Sequence, residues 1–284
     1  MKIKTNINNI KTSATLAINE LSNKLEKEGK VIYKFGLGQS PFPVPEIIVE
    51  ELKKNSHQKD YLNVSGLEKL REVIAIYHAK KNKYNYKKEN IIIGPGSKEL
   101  IYQLQLVLDS DLILPSPSWV SYEPQAKILN KKIHWINCSD KNNWHLNPED
   151  LNKKCKEIQK VNKLLILNSP NNPSGTTHNN LKEFAKVVID NNIIVISDEI
   201  YAELDFTGEY NSLTHFCPEN TIVSSGLSKW CGAGGWRIGY LVFPENLNYI
   251  KNAIRNIASE TYTSVSAPIQ YAAIKAFTED HSMY

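Results

Sequence analysis

Ile193-Ile194-Val195-Ile196 narrows the fold more than any other stretch of this chain. Four apolar residues in succession, with no polar alternation, mean burial on both faces, as in a strand of a parallel sheet. Short strands built on apolar residues are also read at 91–93, 112–114, 132–137 (more polar than the rest), 163–167, 221–223 and 238–243, and helical patterns separate most of them. Strands alternating with helices from 91 to 243 predict an α/β fold with a mainly parallel (mixed) sheet and helices on both faces. Ligands of such sheets bind outside the carboxyl ends of the strands.

The residues at those ends are chemically suggestive. Asp198 closes the run at 193, and a lone buried carboxylate is expensive unless something faces it. It can equally be an aspartate that caps a loop. Gly94-Pro95-Gly96 leads from a strand to Ser97, read as the cap of a helix reaching Leu108. Free N–H groups at such a start form a ready anion site. Trp119 follows the strand at 112 within Pro115-Ser116-Pro117-Ser118-Trp119, where an aromatic either plugs the core or offers a flat face for stacking. Asn168-Ser169-Pro170-Asn171-Asn172-Pro173-Ser174-Gly175 is strong turn chemistry. The stretch from Ser224 to Gly239 then holds Lys229 in a small-residue turn, with Arg237 eight residues on. A lysine shielded from water can lose its proton and bond covalently to an aldehyde. A glycine-rich surface turn with two incidental cations is the competing reading.

Elsewhere the pattern predicts helices over 13–28 (capped by Ser13), 45–55, 67–81, 124–130, 181–191, 245–259 and 264–277. Pro41, Pro43 and Pro45 impose an extended arm over 35–45, with Gly36 and Gly38 ahead of them. Five lysines between 80 and 90 read as a solvated loop. The net charge of +4 over 284 residues demands neither nucleic acid nor an anionic surface. No long apolar run suggests a membrane span or signal peptide. Cys138, Cys155, Cys217 and Cys231 are too scattered for a metal site and read as reduced thiols of a cytoplasmic protein.

Together these motifs resemble the class I/II pyridoxal-phosphate (PLP) aminotransferases of fold type I. The segment around Lys229 matches the attachment motif at Gly226, Leu227, Ser228, Lys229, Gly232, Ala233, Gly235, Arg237, Ile238 and Gly239. Asn172-Pro173-Ser174-Gly175 resembles the family's Asn-Pro-Thr-Gly, Asp198-x-x-Tyr201 its Asp-x-x-Tyr, and Tyr61-x4-Gly66-x3-Leu70-Arg71 its Tyr-x4-Gly-x3-Leu-Arg. The resemblance implies that Lys229 holds PLP covalently and moves the substrate proton. It implies Asp198 on the pyridine nitrogen, Tyr201 and Asn172 on the 3-oxygen, and Trp119 against the ring. Gly96, Ser97, Lys98, Ser228 and Arg237 would hold the phosphate end, joined by Tyr61 from the neighbour in a homodimer. Gly38 and Asn172 would meet the substrate carboxylate. The implied reaction moves an amino group between an amino acid and a 2-oxo acid. Another PLP enzyme of this fold (a carbon–sulfur lyase or synthase) and a non-catalytic PLP-binding chain remain open.

Two departures stand out. Gly226 occupies a position that is often a phosphate-binding serine. The chain also ends soon after a segment resembling the last helix of the large domain, without the arginine that clamps the substrate carboxylate. The organisation expected is an N-terminal helix and arm (1–45), a large PLP-binding domain (46–284), and an absent remainder of the small domain.

Overall fold

In the computed structural model, which describes residues 1–36 and 38–279, the run at 193 is the central strand of a seven-stranded sheet. Leu37 of the arm and the last five residues lie outside the described residues. The strands are β1 (Ile91–Gly94), β2 (Asp111–Ser116), β3 (Ile133–Asn137), β4 (Lys163–Asn168), β5 (Ile193–Asp198), β6 (Thr221–Gly226) and β7 (Gly239–Val242). Their order is β1-β7-β6-β5-β4-β2-β3. β5 pairs in parallel with β4 and β6, and only β7 runs against its neighbours, β1 and β6. The expected mixed, mainly parallel sheet is what forms.

The helices are α1 (Thr5–Asn8), α2 (Ala14–Lys27), α3 (Glu46–Asn55), α4 (Glu68–Asn82), α5 (Ser97–Val107), α6 (Tyr122–Ile128), α7 (Pro148–Glu157), α8 (Leu181–Asp190), α9 (Asn248–Ser259) and α10 (Ala267–Thr278). They cover both faces of the sheet. Ile196, Ile222, Leu164 and Leu241 pack with Leu100 and Leu104 of α5 and Ile250 and Ile254 of α9. Val195, Leu165 and Leu167 point the other way, toward Leu151 of α7 and Phe184 and Val188 of α8. Successive residues of β5 therefore serve different cores, which is why its sequence shows no alternation. Each isoleucine sealed in this way contributes about 2 kcal/mol.

Three local expectations change. α5 starts at Ser97 with Gly96 at the cap position, and no side chain caps it. Gly96 holds φ +90°, a conformation that favours glycine and leaves the helix's first N–H groups uncovered. α6 begins two residues earlier than the pattern suggested. α7 carries only Leu151 and Cys155 as buried residues, so its charged surface hid the helical period. Its start was nevertheless written in the chain: Asn147 accepts from the Glu149 N–H at 2.8 Å and Pro148 takes the first position.

The N-terminal segment lies more loosely on this core. α2 buries none of its residues, and Leu16, Ile18 and Leu21 stay exposed. The arm after it runs under α2, where a Cβ on Gly36 would sit 2.6 Å from Ile18 Cγ2. It then passes the Lys229 turn, where a Cβ on Gly232 would sit 3.2 Å from the Phe42 carbonyl oxygen. The lysine-rich loop is partly neutralised: Lys81 pairs with Glu203, and Lys88 with Glu68. Among the described residues no helix is long and apolar enough to cross a membrane, and no cluster of side chains suits a metal.

Candidate active site

β1, β2, β4, β5 and β6 all point the same way, since β1 and β6 each oppose β7. Their carboxyl ends deliver Gly96 and Ser97, Trp119, Asn172, Asp198 and Tyr201, and Lys229 to one edge of the sheet. Arg237 arrives at the same edge just before β7.

Lys229 is half-buried, and its Nζ donates to the Gly38 carbonyl at 2.9 Å. The arm therefore does reach the lysine. Nζ also stands 5.5 Å from the centre of the Tyr201 ring. Burial lowers this amine's proton affinity, and the opposite charge of Asp198 partly restores it. Asp198 is 3% exposed. Burial pushes its pKa up to about 6; the Tyr122 hydroxyl, the Ile200 N–H and Lys229 pull it down, while Glu199 adds to the rise. Tyr122 donates to Asp198 Oδ2 at 2.6 Å, and the Ile200 N–H donates to Oδ1 at 3.4 Å.

Asn172 Nδ2 donates to the Tyr201 hydroxyl at 3.1 Å, so the two side chains meet as one polar pair. That pair is tied back to the sheet. The Asn172 N–H donates to Asn168 Oδ1 at 2.8 Å, and Asn168 Nδ2 donates to the Asp198 carbonyl at 2.9 Å. Trp119 packs edge-on against Tyr122, with centroids 5.2 Å apart, and carries Lys98 Nζ over its ring at 5.0 Å.

The anion end is built at the start of α5. Arg237 Nη1 donates to the Gly234 carbonyl at 2.7 Å and Nη2 to the Pro95 carbonyl at 3.3 Å. Its guanidinium lies so close to Gly96 that a Cβ there would fall 2.3 Å from Nη2. Burial lowers the proton affinity of Lys98, and the nearby charge of Arg237 lowers it further. Two cations and a helix N-terminus thus crowd one spot, an arrangement that favours an anion between them. Ser228 is half-buried beside Lys229. Tyr61 is 89% exposed and contributes nothing to this site from within its own chain. A cavity of 1090 Å³ lies alongside; Asn172 and Tyr201 line it, but Lys229, Asp198 and Arg237 do not.

Sequence reasoning missed Tyr122 and Asn168. A tyrosine at a helix start and an asparagine at a strand end carry no mark of what they will touch. The one usable signal was Asp198 itself, whose burial requires a donor.

Residues 30–283 match the sequence profile of the family described as Aminotransferase class I and II. The chain is 34% identical to the aspartate aminotransferase of Bacillus sp. (strain YM-2), over 95% of this chain and 71% of that protein. It is 30% identical to the asparagine–oxo-acid transaminase of Streptococcus mutans, over 97% of this chain and 72% of that one. Thermus thermophilus aspartate aminotransferase, solved with maleate, superposes with a TM-score of 0.91 at 28% identity, covering 98% of this chain and 73% of the other. The chain belongs to the class I and II aminotransferases. As such it is a PLP-dependent transaminase of fold type I, whose substrates are an amino acid and a 2-oxo acid.

The residues present in this aminotransferase fit PLP. An amine of lowered proton affinity, a buried carboxylate, an amide–phenol pair and a cationic helix start match the aldehyde, ring nitrogen, 3-oxygen and phosphate of the cofactor. Glycine is required where the phosphate cradle is tightest: a Cβ on Gly239 would lie 2.3 Å from the Ser97 nitrogen. Gly239→Ala must displace the Gly96–Ser97 backbone. It is expected to weaken PLP binding about tenfold or more and to cost roughly 2 kcal/mol of stability. Fluorescence titration with PLP and urea unfolding would measure the two effects.

Proposed function

We propose that Lys229, Asp198, Tyr201, Asn172 and the Gly96–Lys98 helix start, with Arg237, form the working centre of this transaminase, and that dicarboxylic amino acids such as aspartate are its donors. One observation carries the assignment: Lys229 Nζ stands 5.5 Å from the ring of Tyr201, whose hydroxyl accepts from Asn172 at 3.1 Å, at the strand ends where Asp198 is buried.

PLP supplies an aldehyde that condenses with amines and a ring that takes up the electron pair left when the substrate Cα–H bond breaks. Lys229 would hold that aldehyde and would be the base that carries the substrate Cα proton. Burial lowers the proton affinity of this amine, the direction that both tasks need. Asp198 would keep a proton on the ring nitrogen, which would make the ring a better electron acceptor. Tyr201 and Asn172 would donate to the 3-oxygen. Ser97, Lys98 and Arg237, with Ser228, would neutralise the phosphate, and Trp119 would offer its face to the ring. Gly38 and Asn172 orient the substrate carboxylate.

The names of the relatives support aspartate as donor. The exposed Tyr61 and the uncovered apolar stripe of α2 support a homodimer whose halves complete each other's sites. We place the enzyme in the cytoplasm, divided into an N-terminal helix and arm (1–45) and a large domain (46–284). The PLP-loaded full chain, given L-aspartate and 2-oxoglutarate, is expected to yield oxaloacetate and glutamate. Release of ammonia and a 2-oxo acid without any acceptor would instead mark a lyase.

A further inference from the structure

Behind Asp198, on the side away from Lys229, the chain buries a second carboxylate that the reaction above does not use. Glu199 is 2% exposed. Its Oε1 accepts from the Ser212 hydroxyl at 2.5 Å and the Ser197 hydroxyl at 2.9 Å, while Oε2 has no hydrogen-bond partner. Ser212 in turn shares a 2.7 Å contact with the Thr214 hydroxyl and accepts from the Thr214 N–H at 3.2 Å. The Glu199 main chain is committed as well. Its N–H donates to the Ser224 carbonyl at 2.8 Å, which joins β5 to β6 five residues before Lys229. Its carbonyl accepts from the Ala202 N–H at 3.0 Å, closing the turn that contains Tyr201.

A carboxylate buried this deeply is costly even with the Ser197 and Ser212 hydroxyls on one oxygen and Tyr210 beside it. An isosteric apolar residue would avoid that cost, so the charge calls for a reason of its own. We propose that Glu199 is a positioning residue for the transamination: it clamps the exit of β5, which carries Asp198 and Tyr201, onto the 212–214 turn, and its negative charge acts directly on Asp198. The inference rests on the site assigned above.

The surroundings are compatible with this role. Tyr77 and Lys81 from α4, Tyr86 from the following loop, Tyr210 and Tyr240 all sense the Glu199 charge, and Lys81 is shared with Glu203. Around Asp198 stand Tyr122, Tyr201, Lys229 and Tyr210. Burial raises the proton affinity of Glu199, and Ser212, Lys81, Ser197 and Tyr210 oppose that rise. Glu199 also pushes the Asp198 pKa upward, after burial itself.

Glu199→Gln keeps an oxygen for Ser212 and removes the charge. Glu199→Ala removes both, and Ser212→Ala loosens the clamp while leaving the charge. PLP affinity of the full chain, titrated by absorbance between pH 5 and 9, reads all three. For E199Q the acid limb of binding is expected to move down by about one pH unit, with affinity at pH 8 nearly unchanged. For E199A affinity at pH 8 should fall about tenfold and the acid limb should move as in E199Q; for S212A affinity should fall about tenfold at every pH, with the limb where it was. An E199Q limb superimposed on the parent's overturns the inference, even where Lys229 still binds PLP; S212A with parental affinity overturns the clamp. Failure of the parent itself to bind PLP through Lys229 would remove the site assignment and this inference together.

Discussion

Lys229→Ala protein shows no lysine-linked PLP absorbance, and its transaminase rate falls by about four orders of magnitude. Both losses have one cause. The amine that anchors the cofactor is also the base placed to carry the proton, so removing it deletes two roles at once. The fold should survive, because Lys229 is only half-buried and its side chain donates to the Gly38 carbonyl of the arm rather than to the core. Noncovalent PLP binding at the Ser97–Arg237 cradle should persist, weakened, and added methylamine should recover part of the rate. A variant that keeps a covalent band would show that another amine is the attachment point, and the assignment of Lys229 would be lost.

Asp198→Asn is expected to separate activity from stability. The rate should fall by about a thousandfold, because a neutral amide no longer holds a proton on the ring nitrogen. The cofactor-free protein should gain stability at the same time. In the folded chain the Asp198 pKa lies near 6, above its ordinary value of 3.8. A raised carboxyl pKa means that stability present at low pH is lost as pH climbs through 6. The asparagine variant carries no such loss. It should therefore unfold about 2–3 kcal/mol later than the parent at pH 7.5, with the difference vanishing below pH 4. Urea unfolding at both pH values measures it. Equal stability at pH 7.5 would mean that the Asp198 pKa is not raised in the folded chain.

The tension at Asp198 also explains what the chain discloses before folding. Lys229, Asp198, Asn172 and Gly96 were legible because each combines a chemically potent or conformationally special residue with the end of an apolar run. The parallel core was legible because Ile193–Ile196 can only be satisfied from two sides. Tyr122 was hidden, since its meaning depends on a carboxylate 76 residues away that only the sheet brings within 2.6 Å. Glu199 was hidden beside Asp198, its side chain distinguished only by serines at 197 and 212. The antiparallel course of β7 was also unreadable: buried on both sides, Tyr240-Leu241-Val242 looks like any parallel strand of this sheet. α7 escaped because two buried residues in ten make too faint a period.

The reversed strand β7 has a further consequence, for synthesis. β1 touches the sheet through β7 alone, with Ile92 opposite Leu241, and β6 takes its second neighbour from the same strand. While a ribosome is still working toward Val242, the stretch 91–94 and one side of the lysine-bearing strand both offer unpaired backbone to whatever passes. Cofactor capture must await that last insertion. A chain stalled short of it would be a client for chaperones rather than an incomplete enzyme.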